Sequence, residues 1–365
     1  MPEAIQFQEL MVHAKGKGMI TEEIAADALD MFETFVSAGW TDGLPVIPPT
    51  ARRVAEFVER AGRGADEVVA EVAPLGGAAT TEKIAANAIM AGCTPDHMPV
   101  LIAALQAATD PAMNIGGMQC STHMASPLLI VHGPIRDELG INSGANSFGQ
   151  GVRANATLGR ALKLALVNIG GSHPGEADKA TLGQPGKFTF CIGENEEDSP
   201  WPALHVDRGL SKTDSAVTLY GAEGPQNINN QAADNPFDIL TTVAGMMTNL
   251  GSNHLFIQGE SFVVLCPEHA QIIADAGWTK ADIKHFLFQN ATRSVREIGA
   301  GGIHGRKVRN YPTWPRFVDA DDLDARVPVT RRVDDITIIV TGGPGRHSAY
   351  LPGWGTRSVT RKIEA

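Results

Sequence analysis

The sequence predicts an α/β fold of two related halves behind an N-terminal helical segment, and three observations carry that expectation. Short apolar runs rich in β-branched residues (LLIVH, FVVLC and ITIIV) alternate with stretches whose apolar residues recur at helical spacing. The order of elements repeats along the chain as strand, glycine turn, helix, loop, strand, helix. In both repeats a proline follows the central strand and a glycine ends the next helix (HGP then ELG, CPEH then DAG). An internal duplication would set two similar halves about a pseudo-twofold axis. The expected division is a helical segment over 1–66, a first half over 67–210 and a second over 211–365, with a long irregular arm at 292–334. That arm, with YPTWP inside it, is long enough to embrace a second subunit.

Each element has a local reason. Thr21 has the chemistry of an N-cap, with Glu22 and Glu23 facing the positive end of the helix dipole. Ile24, Ala28, Met31, Phe32 and Phe35 then recur at helical spacing up to Gly39. The segment WTDGLPVIPPT must be extended, since each proline expels its predecessor from the helical region. Helices follow over 51–61, closed by Gly62, over 81–90, closed by Gly92, and over 97–108, with a strand at 68–73. Residues 113–155 form a polar stretch crowded with Gly, Ser, Asn, Cys, His and Arg, divided by the buried strand LLIVHGP. Beyond it come a helix over 152–167, strands over 188–192 and 217–222, the polar turn EGPQNINNQ and a helix over 237–249. A strand at 262–266 leads to a helix with Pro267 in its first turn, and Thr279 and Asp282 make a capping pair for the next helix. A last strand runs directly into GGPGRHS.

Composition narrows the function. The 365 residues carry a net charge of −11, which argues against a nucleic-acid partner. No run of about 18 apolar residues suggests a membrane span, and the N-terminus lacks the basic-then-apolar pattern of a signal peptide. Cys93, Cys120, Cys191 and Cys266 are too widely spaced for a disulfide framework, so a reducing, cytoplasmic setting is expected. There is no nucleophile elbow, no H-E-x-x-H and no phosphate-binding P-loop.

Three groups of residues have the types that carry chemistry. Cys120 and His123 in MQCSTHM, with Cys93 and His97 upstream, could ligate zinc, or Cys120 could be a nucleophile activated by His123. The bland alternative, a packed thiol, fits Cys93 best. Between 173 and 207 lie His173, Glu176, Glu194, Glu196, His205 and Asp207. Of these, Glu194 and Glu196 follow a strand and would share a face, as a general base or as hard oxygen ligands. Glu197 and Asp198 read as a solvated turn. In the last loop, Gly342 and Gly343 let backbone amides approach an anion, and Arg346, His347 and Ser348 follow at once. Arg153 and Asn155, opening a helix, could hold a substrate carboxylate or could serve as a cap and salt bridge.

The stretches GWTDGLPVIPPT, EKIAANAIMAGCTPDHMPV, RANATLGRALKLALVNIGG, PGKFTFCIGENEEDSPW and GGPGRHSAYLPGWG resemble a bacterial family of about this length associated with the UGSC-type (seleno)protein group. The resemblance spans most of the chain and implies one full-length unit with polar motifs distributed along it. The sequence has no C-G-S-C motif, so the resemblance carries over no thiol-redox role.

The reading is an enzyme that cleaves a small polar organic acid or amide by hydrolysis or lyase chemistry. His123 with Glu194 or Glu196 would move protons, and Arg153, Asn155 and the 342–348 loop would hold the anionic end. A divalent metal could assist but is not required, and a homo-oligomer is expected. The alternatives are a cysteine enzyme using Cys120 and a binding protein without turnover.

Overall fold

The computed structural model describes residues 10–14, 19–23, 28–255, 257–300, 315 and 317–364. The chain begins with a hairpin of β1 (Leu10–Ala14) and β2 (Met19–Glu23). Helices α1 (Ala28–Ser37) and α2 (Ala51–Ala61), strands β3 (Val68–Val72) and β4 (Gly77–Thr80), and helices α3 (Thr81–Ala91) and α4 (Met98–Ala108) follow. A short α5 (Ile115–Cys120) precedes β5 (Ser126–His132), α6 (Ile135–Glu138), α7 (Arg153–Asn168), β6 (Cys191–Gly193) and a one-turn α8 (Leu204–Asp207). The remainder comprises β7 (Ala216–Ala222), β8 (Gln226–Asn229), α9 (Pro236–Met247), β9 (Ser261–Leu265), α10 (Pro267–Asp275) and α11 (Lys280–Asn290). It ends with β10 (Thr292–Ser294), α12 (Val295–Ala300), β11 (Arg326–Pro328), β12 (Ile336–Val340), β13 (His347–Leu351) and β14 (Val359–Lys362).

Two four-stranded mixed sheets organise the α/β fold, in the orders β14-β7-β5-β6 and β12-β9-β13-β8. They share one connectivity. Each central strand, β5 or β9, has a parallel neighbour on one side (β6 or β12) and an antiparallel one on the other (β7 or β13). The fourth strand of each sheet arrives from the other: β8 follows β7 but pairs with β13, and β14 follows β13 but pairs with β7. The cut expected at residue 210 therefore runs inside the first sheet.

Alternation of side chains stacks the sheets. Leu129 and Val131 of β5 pack with helices α3, α4 and α7, whereas Val263 and Leu265 of β9 pack with α9, α10 and α11. The opposite faces, including Leu128, Ile130, Tyr220, Phe262, Val264 and Ile339, meet in a third cluster between the sheets. The rings of Tyr220 and Phe262 stack across this layer with centroids 4.2 Å apart. The layers thus run helix, sheet, sheet, helix, and both faces of β5 and β9 are buried, which explains their unbroken apolar sequences.

Local signals place several elements as expected. Thr50 accepts the Arg53 N–H at the start of α2, and Gly62 closes it at φ 64°. Thr80 caps α3 by accepting the Lys83 N–H, and Gly92 closes it at φ 94°. Elsewhere the structure corrects the reading. Thr21 is no helix cap: it pairs with Val12 within the β1–β2 hairpin, and the helix begins at Ala28. The strand expected at 188–192 forms at Cys191–Gly193, after a 3-10 turn at Pro185–Lys187. The arm at 292–334 holds β10, α12 and β11, with β10 paired to β11. Residues 301–314 and 316 of that arm, and with them most of YPTWP, lie outside the described residues. Among the described residues no helix is long and apolar enough to cross a membrane.

Candidate active site

The two crossovers between the sheets meet at one end of the sandwich. Glu223 N–H donates to Pro352 O at 2.8 Å, and Trp354 N–H donates to Gly221 O at 3.0 Å. Gly353 fits here because a side chain would collide with the Tyr220 hydroxyl. This seam holds Glu223 rigidly beside the segment leading into β5. There, His123 N–H donates to Ser121 Oγ at 3.0 Å, forming a tight turn that presents the imidazole. His123 Nε2 lies 2.7 Å from Glu223 Oε1, while Nδ1 has no hydrogen-bond partner among the described residues. The two side chains are 20% and 14% exposed, on the wall of a cavity of about 400 Å³ also lined by Thr122, Thr181, Ser252 and Asn253. Leu182 and Leu250 form an apolar rim.

Behind this wall lies a second, fully buried imidazole. Gly353 N–H donates to His254 Nε2 at 2.9 Å, which fixes the neutral tautomer with its proton on Nδ1, facing Ser261 Oγ at 2.9 Å and the Tyr350 hydroxyl. Burial pushes its pKa down to about 3, with the charge of His123 acting in the same direction. His254 is therefore a fixed neutral support, and His123 is the imidazole that reaches the cavity.

A second cluster gathers at the far end of β5. His132, the last residue of the strand, sits 2.8 Å from Glu194 Oε2 through Nδ1 and 2.8 Å from Thr218 Oγ1 through Nε2. Glu194 Oε2 also accepts the Leu204 N–H at 2.9 Å. Burial alone would raise the Glu194 carboxyl, but the hydrogen bond and charge of His132, with Lys280 nearby, outweigh it and hold the group below its ordinary value. Glu196 accepts the Gly133 N–H at 2.7 Å and lies 3.3 Å from Arg136 Nε. His205, on α8, is fully buried with its ring centroid 5.5 Å from that of His132. Burial, reinforced by the neighbouring His132, lowers its pKa.

The expected catalytic set is thereby divided. His123 stands before the first residue of β5 and Glu194 and Glu196 beside its last, about 20 Å apart along a seven-residue strand. Each has a different partner: Glu223 for His123, and His132 for Glu194. Glu223 lies in the polar turn EGPQNINNQ, as its only acid and directly after a strand, and that position was the signal available for it. His132 gave no such signal, because it ends an apolar strand.

Other candidates have structural partners. Arg153 donates to Gly92 O and Cys93 O, so it caps the end of α3 rather than clamping a substrate. Asn155 is buried and ties Asn142 N, Asn142 O and Cys191 O together. Gly342 and Gly343 pack against the 143–145 turn, with Gly342 N–H donating to Ser143 O at 2.9 Å. Arg346 donates to Gln231 O and Ala233 O, and His347 pairs with Asn227. The last loop therefore does not reach His123, and its groups are engaged by the chain itself.

The cysteines also sort by environment. Cys120 ends α5 exposed, whereas Cys93 and Cys191 are buried and their thiols are pushed up by burial, that of Cys93 to about 12. His97 serves as a cap acceptor for Thr94 N–H, its pKa lowered by burial to about 4. Among the described residues, His97, Cys93, Cys120 and His123 do not converge as a metal cluster. The thiol with an activating neighbour is Cys266 at the start of α10. There burial is outweighed by His269, whose Nδ1 is 2.8 Å from Ser348 Oγ. Cys266 is only 2% exposed.

A larger cavity of about 530 Å³ opens on the side of the sandwich near β14. Its charged side chains include Arg208 bound to Glu260 at 3.0 Å and Lys362 bound to Asp214. No family model matches this chain, and no curated protein matches it in sequence.

Proposed function

We propose that the protein is an enzyme that moves protons on a small polar molecule bound against His123, consistent with hydrolytic or lyase-type cleavage. One observation carries the reading: His123 and Glu223 form a 2.7 Å pair on a cavity wall, and the second imidazole nitrogen, buried in this structure, is without a partner among the described residues. A carboxylate bound to one nitrogen fixes the tautomer and stabilises the imidazolium that forms when the other takes a proton. In this reading the His123 imidazole moves the proton, Glu223 orients it, and Thr122 and Asn253 stand beside it on the cavity wall. A cavity of about 400 Å³ suits a substrate of metabolite size rather than a polymer. The residues lining it are polar and apolar with no Lys or Arg among them, which favours an uncharged amide, lactone or hydroxyl compound over the anionic end first expected. The matched connectivity of the two sheets supports an origin by internal duplication, with this cavity at their junction.

The test is a panel of small amides, lactones and hydroxy compounds incubated with the protein and followed by proton NMR. A turned-over compound should lose rate by about 10²–10⁴ in His123→Ala and by a smaller factor in Glu223→Gln. Turnover that survives His123→Ala unchanged overturns the proposal.

A further inference from the structure

The cluster at the far end of β5 has no part in the chemistry above, and it poses its own problem. His205 is 0% exposed, and neither ring nitrogen makes a well-formed hydrogen bond among the described residues. Glu196 Oε1 is 4.0 Å from Nδ1, and His132, Glu194 and the Ser211 backbone also lie around the ring. A buried polar atom left in this way keeps its desolvation cost unless a ligand or water meets it. His132, Glu196 and His205 each offer a ligand atom, and these atoms lie within 4.8 Å of one another. We propose that His132, His205 and Glu196 bind one transition-metal dication, with Glu194 as the carboxylate that positions His132.

The donor set selects the ion class. Two imidazoles and one carboxylate suit zinc, iron, cobalt or nickel, whereas calcium and magnesium call for oxygen ligands throughout. The Glu194 carboxylate is buried and the Glu196 side chain is 9% exposed, with Lys280 near Glu194 and Arg136 3.3 Å from Glu196, whereas Glu197, paired with Arg136 at 2.7 Å, is 59% exposed. Glu194 behind His132 reproduces the carboxylate–histidine pairing that orients metal-bound imidazoles. Binding asks that one of the two present contacts of His132 give way to the ion. A route exists: Thr218, bonded to His132 Nε2, is 2.7 Å from Thr360, which lines the cavity of about 530 Å³.

The experiment uses the full chain without a polyhistidine tag, stripped with a chelator and then titrated with Zn²⁺ or Co²⁺, with bound metal read by elemental mass spectrometry. The expected result is about one equivalent per chain, and for Co²⁺ visible absorption bands characteristic of nitrogen ligation. His205→Asn and Glu196→Gln should each abolish binding with the circular dichroism of the fold retained. Glu194→Gln should weaken it by about 10–100-fold. A wild-type protein that takes up neither ion overturns the proposal, and a buried water would then occupy the cluster. Binding that persists unchanged in both His205→Asn and Glu196→Gln also overturns it. The wild-type cobalt spectrum decides the matter even if a variant fails to fold. This proposal is independent of the His123 reading, since it concerns the opposite end of β5.

Discussion

Lowering the pH from about 7 to about 5 should destabilise this fold steeply, because two of its histidines are buried in neutral form. His254 is held at about 3 and His97 at about 4, against an ordinary value of 6.5, with burial the first cause in both. Both folded values are depressed. Between each folded value and 6.5 the unfolded chain binds the proton and the native chain does not, so stability falls as the pH falls. Integrating from about pH 7 to about pH 5 gives a loss of about 2 kcal/mol per histidine, about 4 kcal/mol together. His205, also lowered, acts in the same direction. His269, whose pKa is raised by Cys266 and Asn230 against its burial, opposes them. A net loss of this size is a large part of the roughly 5–15 kcal/mol typical of a folded protein. The assay is urea denaturation at both pH values, for the wild type and for His254→Gln. The wild-type midpoint should drop markedly at the lower pH, and the variant should show about 2 kcal/mol less pH dependence. A midpoint equal at the two pH values, or a variant with the full wild-type dependence, would refute the reasoning.

Other outcomes follow from the same contacts. Asn155→Ala should cost about 2–3 kcal/mol, by stranding the Asn142 and Cys191 backbone groups, yet leave ligand binding at the His123 cavity intact; weakened binding in a folded variant would restore Asn155 to the site. Gly353→Ala should destabilise by about 1–3 kcal/mol, since its Cβ would meet the Tyr220 hydroxyl at 2.3 Å, and thermal melting measures this. Iodoacetamide with mass spectrometry should label Cys120 first and leave Cys93, Cys191 and Cys266 unmodified until denaturation. Labelling of Cys266 as fast as Cys120 would show that its lowered thiol is reachable and reopen the cysteine mechanism.

What the sequence made legible was local. Thr50 and Gly62 bound α2 because a cap and a left-handed glycine act within a few residues of themselves. The run LLIVH announced a strand buried on both faces. Thr21 misled because the same Thr-Glu-Glu that caps a helix can pair as a strand when Leu10–Ala14 lies alongside, and that choice is tertiary. The exchange of β8 and β14 between sheets has no local signature, since an edge strand carries nothing that names its partner. The site followed the same rule. His123 and Glu194 were visible as polar groups beside a strand, but the partners that give them chemistry lie 100 and 62 residues away. Arg153 and Asn155 shared the residue types of a binding site, and only their carbonyl partners distinguish a brace from a clamp.

The central claim is that the cavity before β5 takes a small polar molecule against His123, and soaking crystals with a library of small amides, lactones and hydroxy compounds tests it most directly. The account predicts difference density between Glu223 and Leu182, with a polar ligand atom in hydrogen-bond reach of the His123–Glu223 pair. Compounds that bind elsewhere on the protein while this cavity holds only water would contradict it.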